Sequence, residues 1–155
     1  MPTYTLNFSR NSVGIYGQYY NFLRLGKEGY TRIMNNCLEN AQYLAKKLSE
    51  LKEFHMINES QMLPIVAIRL ADDVKNYTVF DLSHKLRERG WVISAYTLPA
   101  NAQDTAIMRI VVREHLSRDM VEILFADIQN AIKALETGQK TTGNGSSPRK
   151  GQHVC

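Results

Sequence analysis

Apolar residues between Val13 and Leu51 recur at intervals of three and four, the spacing of a long amphipathic helix. An unbroken helix of about 39 residues would extend roughly 58 Å, whereas a compact domain of this size has a radius of gyration of about 15 Å. The helix is therefore expected to bend. Gly26 and Gly29 are the least costly places for a bend, because each glycine lowers helix propensity by about 1 kcal/mol relative to alanine.

After this helix the pattern changes to short segments that are rich in β-branched residues and bounded by Asn, Ser, Pro or Gly, which predicts four strands. They cover residues 54–57, 64–70, 91–96 and 107–112. Helical spacing returns over 76–89, with Thr78 as a possible N-cap and Gly90 in the C′ position, and again from the capping residue Ser117 to just before Gly138. The order of elements predicts an α+β fold, in which a long N-terminal helix precedes a small, mostly antiparallel sheet with helices on one face.

The pattern divides the chain into three parts. Residues 1–29 would form an extended segment and a linker helix, residues 30–137 an α+β small domain, and residues 138–155 a disordered tail without an apolar face. The first part carries a dense apolar stretch for which this chain offers no obvious covering layer. Its residues are Phe8, Ile15, Tyr16, Tyr19, Tyr20, Phe22, Leu23 and Leu25. Either something outside the chain covers the stretch, or it folds back on the α+β unit, and the pattern leaves both open.

Composition excludes several classes of protein. Of the 155 residues, 44% are hydrophobic, and no apolar run approaches the roughly 18 residues of a membrane span. The net charge is +4, but three of the tail residues are basic and none is acidic, which leaves +1 on residues 1–137 and argues against a nucleic-acid binder. The tail also lacks the aromatic anchors of a calmodulin target.

Cys37 and Cys155 fit neither a metal motif nor a disulfide framework, and the neutral, mixed start has no export signal. We therefore expect a cytoplasmic protein.

The residues alone assemble no active site, since phosphate-binding loops, paired metal ligands and a nucleophile elbow are missing from the sequence. The histidines are scattered, and His115 is best explained as a surface or capping residue. The pair His84-Lys85 is typical of pyridoxal-phosphate enzymes, but it falls away from the apolar stripe of its helix. A hydrated Lys85 would keep its proton, so we reject it as a Schiff-base nucleophile.

Arg109 is the charge that calls for an explanation. Strand alternation places it on the face of Ile107 and Val111, where a guanidinium that stays protonated needs an anion. From the residues alone, a structural ion pair with a local acid is favoured over the capture of a ligand carboxylate, although the planar guanidinium would suit the latter well.

Two blocks, TLNFSR at 5–10 and QYYNFLRLGKEGYT at 18–31, are specific to one family, and shorter motifs continue through DLS at 81–83, RGW at 89–91 and MRI at 108–110. Over residues 1 to about 137 the chain resembles the C-terminal third of glutamate decarboxylase. That resemblance implies a fold-type-I, pyridoxal-phosphate-dependent lyase that converts L-glutamate to 4-aminobutyrate and CO₂, and that works as a homo-oligomer of decarboxylase subunits.

Carried over by position, the resemblance gives Arg109 the role of receiving the substrate α-carboxylate and Ser9 that of reaching the cofactor phosphate of a neighbouring subunit. It also implies that the cofactor lysine belongs to an upstream part, so that this chain alone would be inactive. The sequence departs from the family at Asn11-Ser12, where many members have proline, and in the tail, where some members use a C-terminal segment to close the site and His153 is the residue that could do so here. The alternative is a stand-alone binding or regulatory module that associates with intact decarboxylase subunits.

Overall fold

The computed structural model describes residues 11–58 and 62–138, and the chain divides into two compact units between Asn35 and Asn36. Seven elements follow one another in the predicted order. They are α1 (Val13–Ser49), β1 (Phe54–Met56), β2 (Ile65–Leu70), α2 (Val79–Arg87), β3 (Ser94–Thr97), β4 (Ala106–Val111) and α3 (Arg118–Glu136). None of these helices is long and apolar enough to cross a membrane.

Helix α1 is interrupted where the sequence predicts a bend. Gly26 takes a φ of 55° and a ψ of −170°, which is far from helical geometry and is accessible essentially only to glycine. Gly29 instead stays within the helix. The bend is therefore confirmed, and Gly26 is the residue that makes it.

The four strands form one antiparallel sheet in the order β1-β2-β4-β3. Alternate residues of the three longest strands, among them Ile68, Ala95 and Met108, enter one hydrophobic core. The same core takes apolar side chains from the second half of α1 and from α2 and α3, such as Leu44 and Leu82. The helices thus cover one face of the sheet, as the α+β prediction requires, and Arg109 lies on the opposite face.

The predicted helix caps are confirmed. Thr78 and Asp81 form a reciprocal capping box at the start of α2, and the Ser117 hydroxyl accepts a hydrogen bond from the Met120 amide at the start of α3. Gly90 has a φ of 87° and lies in the left-handed region that favours glycine after a helix.

Strand β3 begins three residues later than predicted. The Trp91 amide donates to the Leu86 carbonyl at 3.1 Å and so closes the end of α2 instead of joining the sheet. Hydrophobic periodicity alone predicts one strand over 91–96, because helix-closing hydrogen bonds of this kind leave no mark in it.

Candidate functional site

Arg109 lies on the face of the sheet opposite the helices. It is exposed, whereas its neighbours in the chain, Met108 and Ile110, are buried in the core. Its partners across the sheet are Ala67 on β2 and Ser94 on β3. Strand alternation therefore placed Arg109 correctly, and it stands between two small side chains that leave room above the sheet.

The contact that the structure shows for the Arg109 guanidinium is with an aromatic ring. Its Cζ atom lies 5.5 Å from the ring centroid of Tyr96, two residues beyond Ser94 on the same face of β3. Within residues 11–58 and 62–138, no carboxylate lies within 4.0 Å of the guanidinium. The local ion pair that the sequence favoured is thus not found among the described residues.

A second arginine on this face is already neutralised. Arg69 Nη1 donates to Asp72 Oδ1 at 2.6 Å, and this hydrogen bond lowers the pKa of the Asp72 carboxyl below its usual value. Asp72 is the second residue after β2, and its carboxylate is committed to Arg69, three residues before it. The face therefore presents one matched guanidinium and one, on Arg109, that is available for an anion.

Other polar residues of the motifs have structural roles. Ser83 donates to the Ile93 carbonyl at 2.6 Å and ties α2 to the segment before β3. Arg89 Nε and Trp91 Nε1 donate to the buried Asp127 carboxylate of α3 at 3.2 and 2.8 Å. The motifs around residues 81–91 therefore hold the fold together, which sets them apart from Arg109.

Sequence reasoning missed Asp127 and Tyr96. The signal for Asp127 is an acid set within the apolar stripe of α3, one residue before the buried Ile128, where an unpaired carboxylate would be costly. The signal for Tyr96 is an aromatic residue two positions from the residue paired with Arg109, which is the diagonal reach of a large side chain on a sheet.

A further charged cluster joins α1 to α3. The Tyr43 hydroxyl and the Lys47 amine both donate to the Glu122 carboxylate, the latter at 2.6 Å, and the Arg118 guanidinium lies 4.0 Å from the Tyr43 ring centroid. These hydrogen bonds lower the pKa of Glu122 and raise that of Lys47, so each is held in its charged form. Because its members satisfy one another, the cluster is a structural link.

The lysines that the structure describes do not fit a covalent cofactor site. Lys47 and Lys85 are the partly buried ones, and the others are exposed. Lys47 is bound to Glu122, and Lys85 lies 2.7 Å from Glu88, so both amines are committed to carboxylates. Lys85 is less hydrated than expected, with 22% of its side chain exposed, but this pairing supports its rejection as a nucleophile.

Residues 11–58 and 62–138 contain no cluster of His, Cys, Asp and Glu that could hold a metal ion. His115 is exposed, in keeping with a surface residue. Ser9 and His153 lie outside the described residues.

The apolar stretch of α1 before Gly26 is exposed. The side chains concerned are 60–70% accessible, namely Val13, Ile15, Tyr16, Tyr19, Tyr20, Phe22 and Leu23. The Phe22 and Tyr30 rings, on either side of Gly26, have centroids 5.8 Å apart. An apolar surface of this density on a helix is typical of a docking surface.

Comparison with known proteins assigns the chain to a class. Residues 1–71 match the family described as the pyridoxal-dependent decarboxylase conserved domain. The fold matches glutamate decarboxylase of Lactobacillus brevis with a TM-score of 0.79 and 39% identity, over 88% of this chain and 31% of that one. These matches define the class as the pyridoxal-dependent decarboxylases.

The curated relatives that the chain resembles are glutamate decarboxylases. Glutamate decarboxylase of Solanum lycopersicum is 43% identical over 88% of this chain, and that of Aliivibrio fischeri is 43% identical over 86%. The chain is thus similar to glutamate decarboxylases over most of its own length. It spans 27% and 29%, respectively, of the length of these two relatives.

Proposed function

We propose that this chain acts as the C-terminal part of a glutamate decarboxylase that converts L-glutamate to 4-aminobutyrate and CO₂. The similarity to glutamate decarboxylases supports the reaction class, and the motifs at 5–10 and 18–31 support the position within the enzyme. In this proposal residues 13–28 form the helix that links a large domain to a small one, and residues 30–137 form the small domain.

The observation that carries the proposal is the available guanidinium of Arg109. A guanidinium offers two parallel N–H donors that match the two oxygens of a carboxylate, and it keeps its charge at any physiological pH. Arg109 would receive the α-carboxylate of the substrate and so orient the bond that is to break. Pyridoxal phosphate supplies the electron sink in such enzymes when it is bound.

The remaining cofactor contacts would come from elsewhere. Ser9 is proposed to reach the phosphate of the cofactor in a neighbouring subunit, and the covalent lysine is proposed to lie in a part of the enzyme outside this chain. The pairing of Lys47 and Lys85 with carboxylates supports the second point. Since Cys37 is free and buried, the proposed compartment is the reducing cytoplasm.

The partner of the exposed α1 stretch would be another part of a decarboxylase. In a complete homo-oligomeric enzyme, the large domain or a second subunit would cover it. The same exposed surface favours a second candidate function, in which the chain is a regulatory module that docks on intact decarboxylase subunits.

A chimeric enzyme tests the first proposal. The matching segment of the Lactobacillus brevis decarboxylase is replaced by this chain, and release of 4-aminobutyrate from glutamate is measured. We expect an active chimera that loses most of its activity on Arg109→Ala. A chimera that folds and binds cofactor, judged by its absorbance, but remains fully active without the guanidinium would refute the role of Arg109.

The isolated chain provides the matched control. Incubated with pyridoxal phosphate and reduced with borohydride, it should carry no specific pyridoxyl label on any lysine and should not turn over glutamate. Specific labelling of one lysine together with turnover would show that the chain holds its own cofactor site, against the proposal.

A further inference from the structure

The environment of Arg109 raises the question of what keeps its side chain in place. Arginine carries about 2 kcal/mol of rotamer entropy, which must be lost when the side chain is held in one geometry for a ligand. The flanking residues Ala67 and Ser94 are too small to restrain it. A guanidinium restrained before the ligand arrives would pay less of this cost on binding.

Tyr96 is in a position to provide that restraint. The 5.5 Å separation between Arg109 Cζ and the ring centroid lies within the range in which an aromatic ring attracts a cation. Tyr96 pairs directly with Ile107, so it meets Arg109 along the diagonal of the sheet. Antiparallel hydrogen bonding between β3 and β4 fixes the two backbones, so the Cα atoms of Tyr96 and Arg109 are held relative to each other.

We infer that Tyr96 is a positioning residue, whose ring holds the Arg109 guanidinium in place on the open face of the sheet. Resting on the proposed function, this inference adds to it the residue that prepares the carboxylate site. The support comes from the π face of the ring. Phenylalanine should replace Tyr96 without loss, whereas an aliphatic side chain of similar size should not.

Nuclear magnetic resonance on the full 155-residue chain tests the contact directly. The Nε–Hε signal of Arg109 is assigned by its loss in Arg109→Lys, and its ¹⁵N relaxation is compared with that of the exposed Arg113 on the following loop. We expect the Arg109 signal to be less mobile than that of Arg113 and shifted by the ring current. Tyr96→Phe should keep both properties, and Tyr96→Leu should lose both.

The matched control is Ser94→Ala, which changes the other neighbour of Arg109 on β3 and leaves the ring in place. It should leave the mobility of the guanidinium unchanged. If Tyr96→Leu gives a poorly dispersed spectrum, Tyr96→Thr serves instead, since threonine favours strands. Equal mobility of Arg109 in the wild type and in the folded ring-less variant would overturn the inference.

Titration with acetate then separates this inference from the function on which it rests. The Arg109 signal should respond to acetate, and the affinity should fall about two- to fivefold in Tyr96→Leu, as expected for an exposed cation–π contact. It should stay within about twofold in Tyr96→Phe and Ser94→Ala. An unresponsive Arg109 in the wild type would count against the carboxylate role, while the relaxation data would still decide the role of the ring.

Discussion

Arg109 differs from the other charged residues of the sheet in what it touches. Arg69 is matched by Asp72 at 2.6 Å, whereas Arg109 has an aromatic ring beside it and, among the described residues, no carboxylate within 4.0 Å. A guanidinium is costly to leave without an anion where the surroundings exclude water, so a site that closes over this face would use Arg109 to bind one.

Substitution of Arg109 should therefore affect the reaction more than the fold. In the chimeric enzyme we expect Arg109→Ala to lower kcat/KM. The decrease should correspond to a loss of about 2–5 kcal/mol in transition-state binding, the usual cost of losing one partner of a buried charge pair. Arg109→Lys should recover part of this loss, because an ammonium keeps the charge but not the two parallel donors. The melting temperature should change little in either variant, and a large decrease would indicate a structural role instead.

Tyr77 has a buried hydroxyl without a hydrogen-bond partner among the described residues, in contrast to the exposed guanidinium of Arg109. Its side chain is 6% exposed. Burial, with the negative charges of Glu136 and Glu53, raises the pKa of Tyr77 to about 12. We expect Tyr77→Phe to stabilise the chain by about 1 kcal/mol, because an unsatisfied hydroxyl is removed while the ring is kept.

The same tyrosine should make the chain sensitive to alkali. In the unfolded chain Tyr77 loses its proton near pH 10, while the folded state holds the proton up to about pH 12. The contribution of this group to stability is therefore complete below pH 10 and is lost as the pH rises through the folded pKa. Denaturant titrations above pH 10 should show a shallower decline in Tyr77→Phe than in the wild type, and parallel declines would contradict the assignment.

Single residues were predictable from the sequence to unequal degrees. Alternation along β4 placed Arg109 on the correct face, because a strand has only two faces. The partners of side chains were not predictable, since Asp127 lies 36 and 38 positions beyond the two residues that donate to it. Contacts of that range depend on how the helices pack, and local patterns carry no information about it.

At the scale of elements, α2 illustrates how local signals define a helix. Thr78 Oγ1 accepts from the Asp81 amide at 3.2 Å, and Asp81 Oδ2 accepts from the Thr78 amide at 2.8 Å. For a helix of nine residues, these two bonds satisfy a large share of the backbone groups at its N-terminus.

Removal of this cap should destabilise the domain. We expect Thr78→Ala to lower the free energy of unfolding by about 1 kcal/mol, the usual value for an N-cap. Thr78→Ser keeps the hydroxyl and should cost much less. Chemical denaturation of both variants checks the prediction, and an equal loss in the two would show that the methyl group of threonine matters and not the hydrogen bond.

The link between α1 and α3 should respond to acid. Hydrogen bonds from Lys47 and Tyr43 lower the pKa of Glu122 below its ordinary value of 4.5. A lowered carboxyl pKa stabilises the fold above the unfolded value, and this contribution is lost as the pH falls through the folded pKa. Glu122→Gln should therefore be less stable than the wild type near neutral pH. Below pH 4.5 its free energy of unfolding should fall less steeply with decreasing pH than that of the wild type. If denaturation shows the same pH dependence in both proteins, Glu122 does not stabilise the link between α1 and α3.

Periodicity predicts whether a segment is a helix or a strand, whereas the sequence predicts the end of a segment only where it contains a recognisable capping residue. Thr78, Ser117 and Gly90 act as predicted because each works through bonds or dihedral angles of its own neighbourhood. The predicted start of β3 at residue 91 is wrong, because the Trp91 amide closes α2 and its indole donates to the distant Asp127 carboxylate. Where the end of an element depends on tertiary contacts, as at β3, the local sequence does not predict it.

At the scale of the whole molecule, two surfaces are open at once. One is the face of the sheet that carries Arg109, and the other is the apolar stretch of α1 before Gly26. The chain spans 27% of the length of the Solanum lycopersicum glutamate decarboxylase, so most of that relative has no counterpart in it. Under the proposed function, the carboxylate site would gain its strength from exclusion of water and would be complete only once the rest of the enzyme covers this face.

The apolar stretch makes a prediction about the chain by itself. Tyr16, Tyr19, Tyr20 and Leu23 recur at intervals of three and four and are 60–69% exposed. Burial of apolar area contributes about 25 cal/mol per Å², so a few such side chains favour association by several kcal/mol. We expect the purified chain to self-associate at micromolar concentration, and the double substitution Tyr16→Glu with Leu23→Glu to render it monomeric.

Sedimentation velocity measures both, with Asn21→Glu as a control for added charge on the same helix. If the unmodified chain sediments as a compact monomer at that concentration, the stretch needs no covering partner, and the case for a docking surface on α1 is lost.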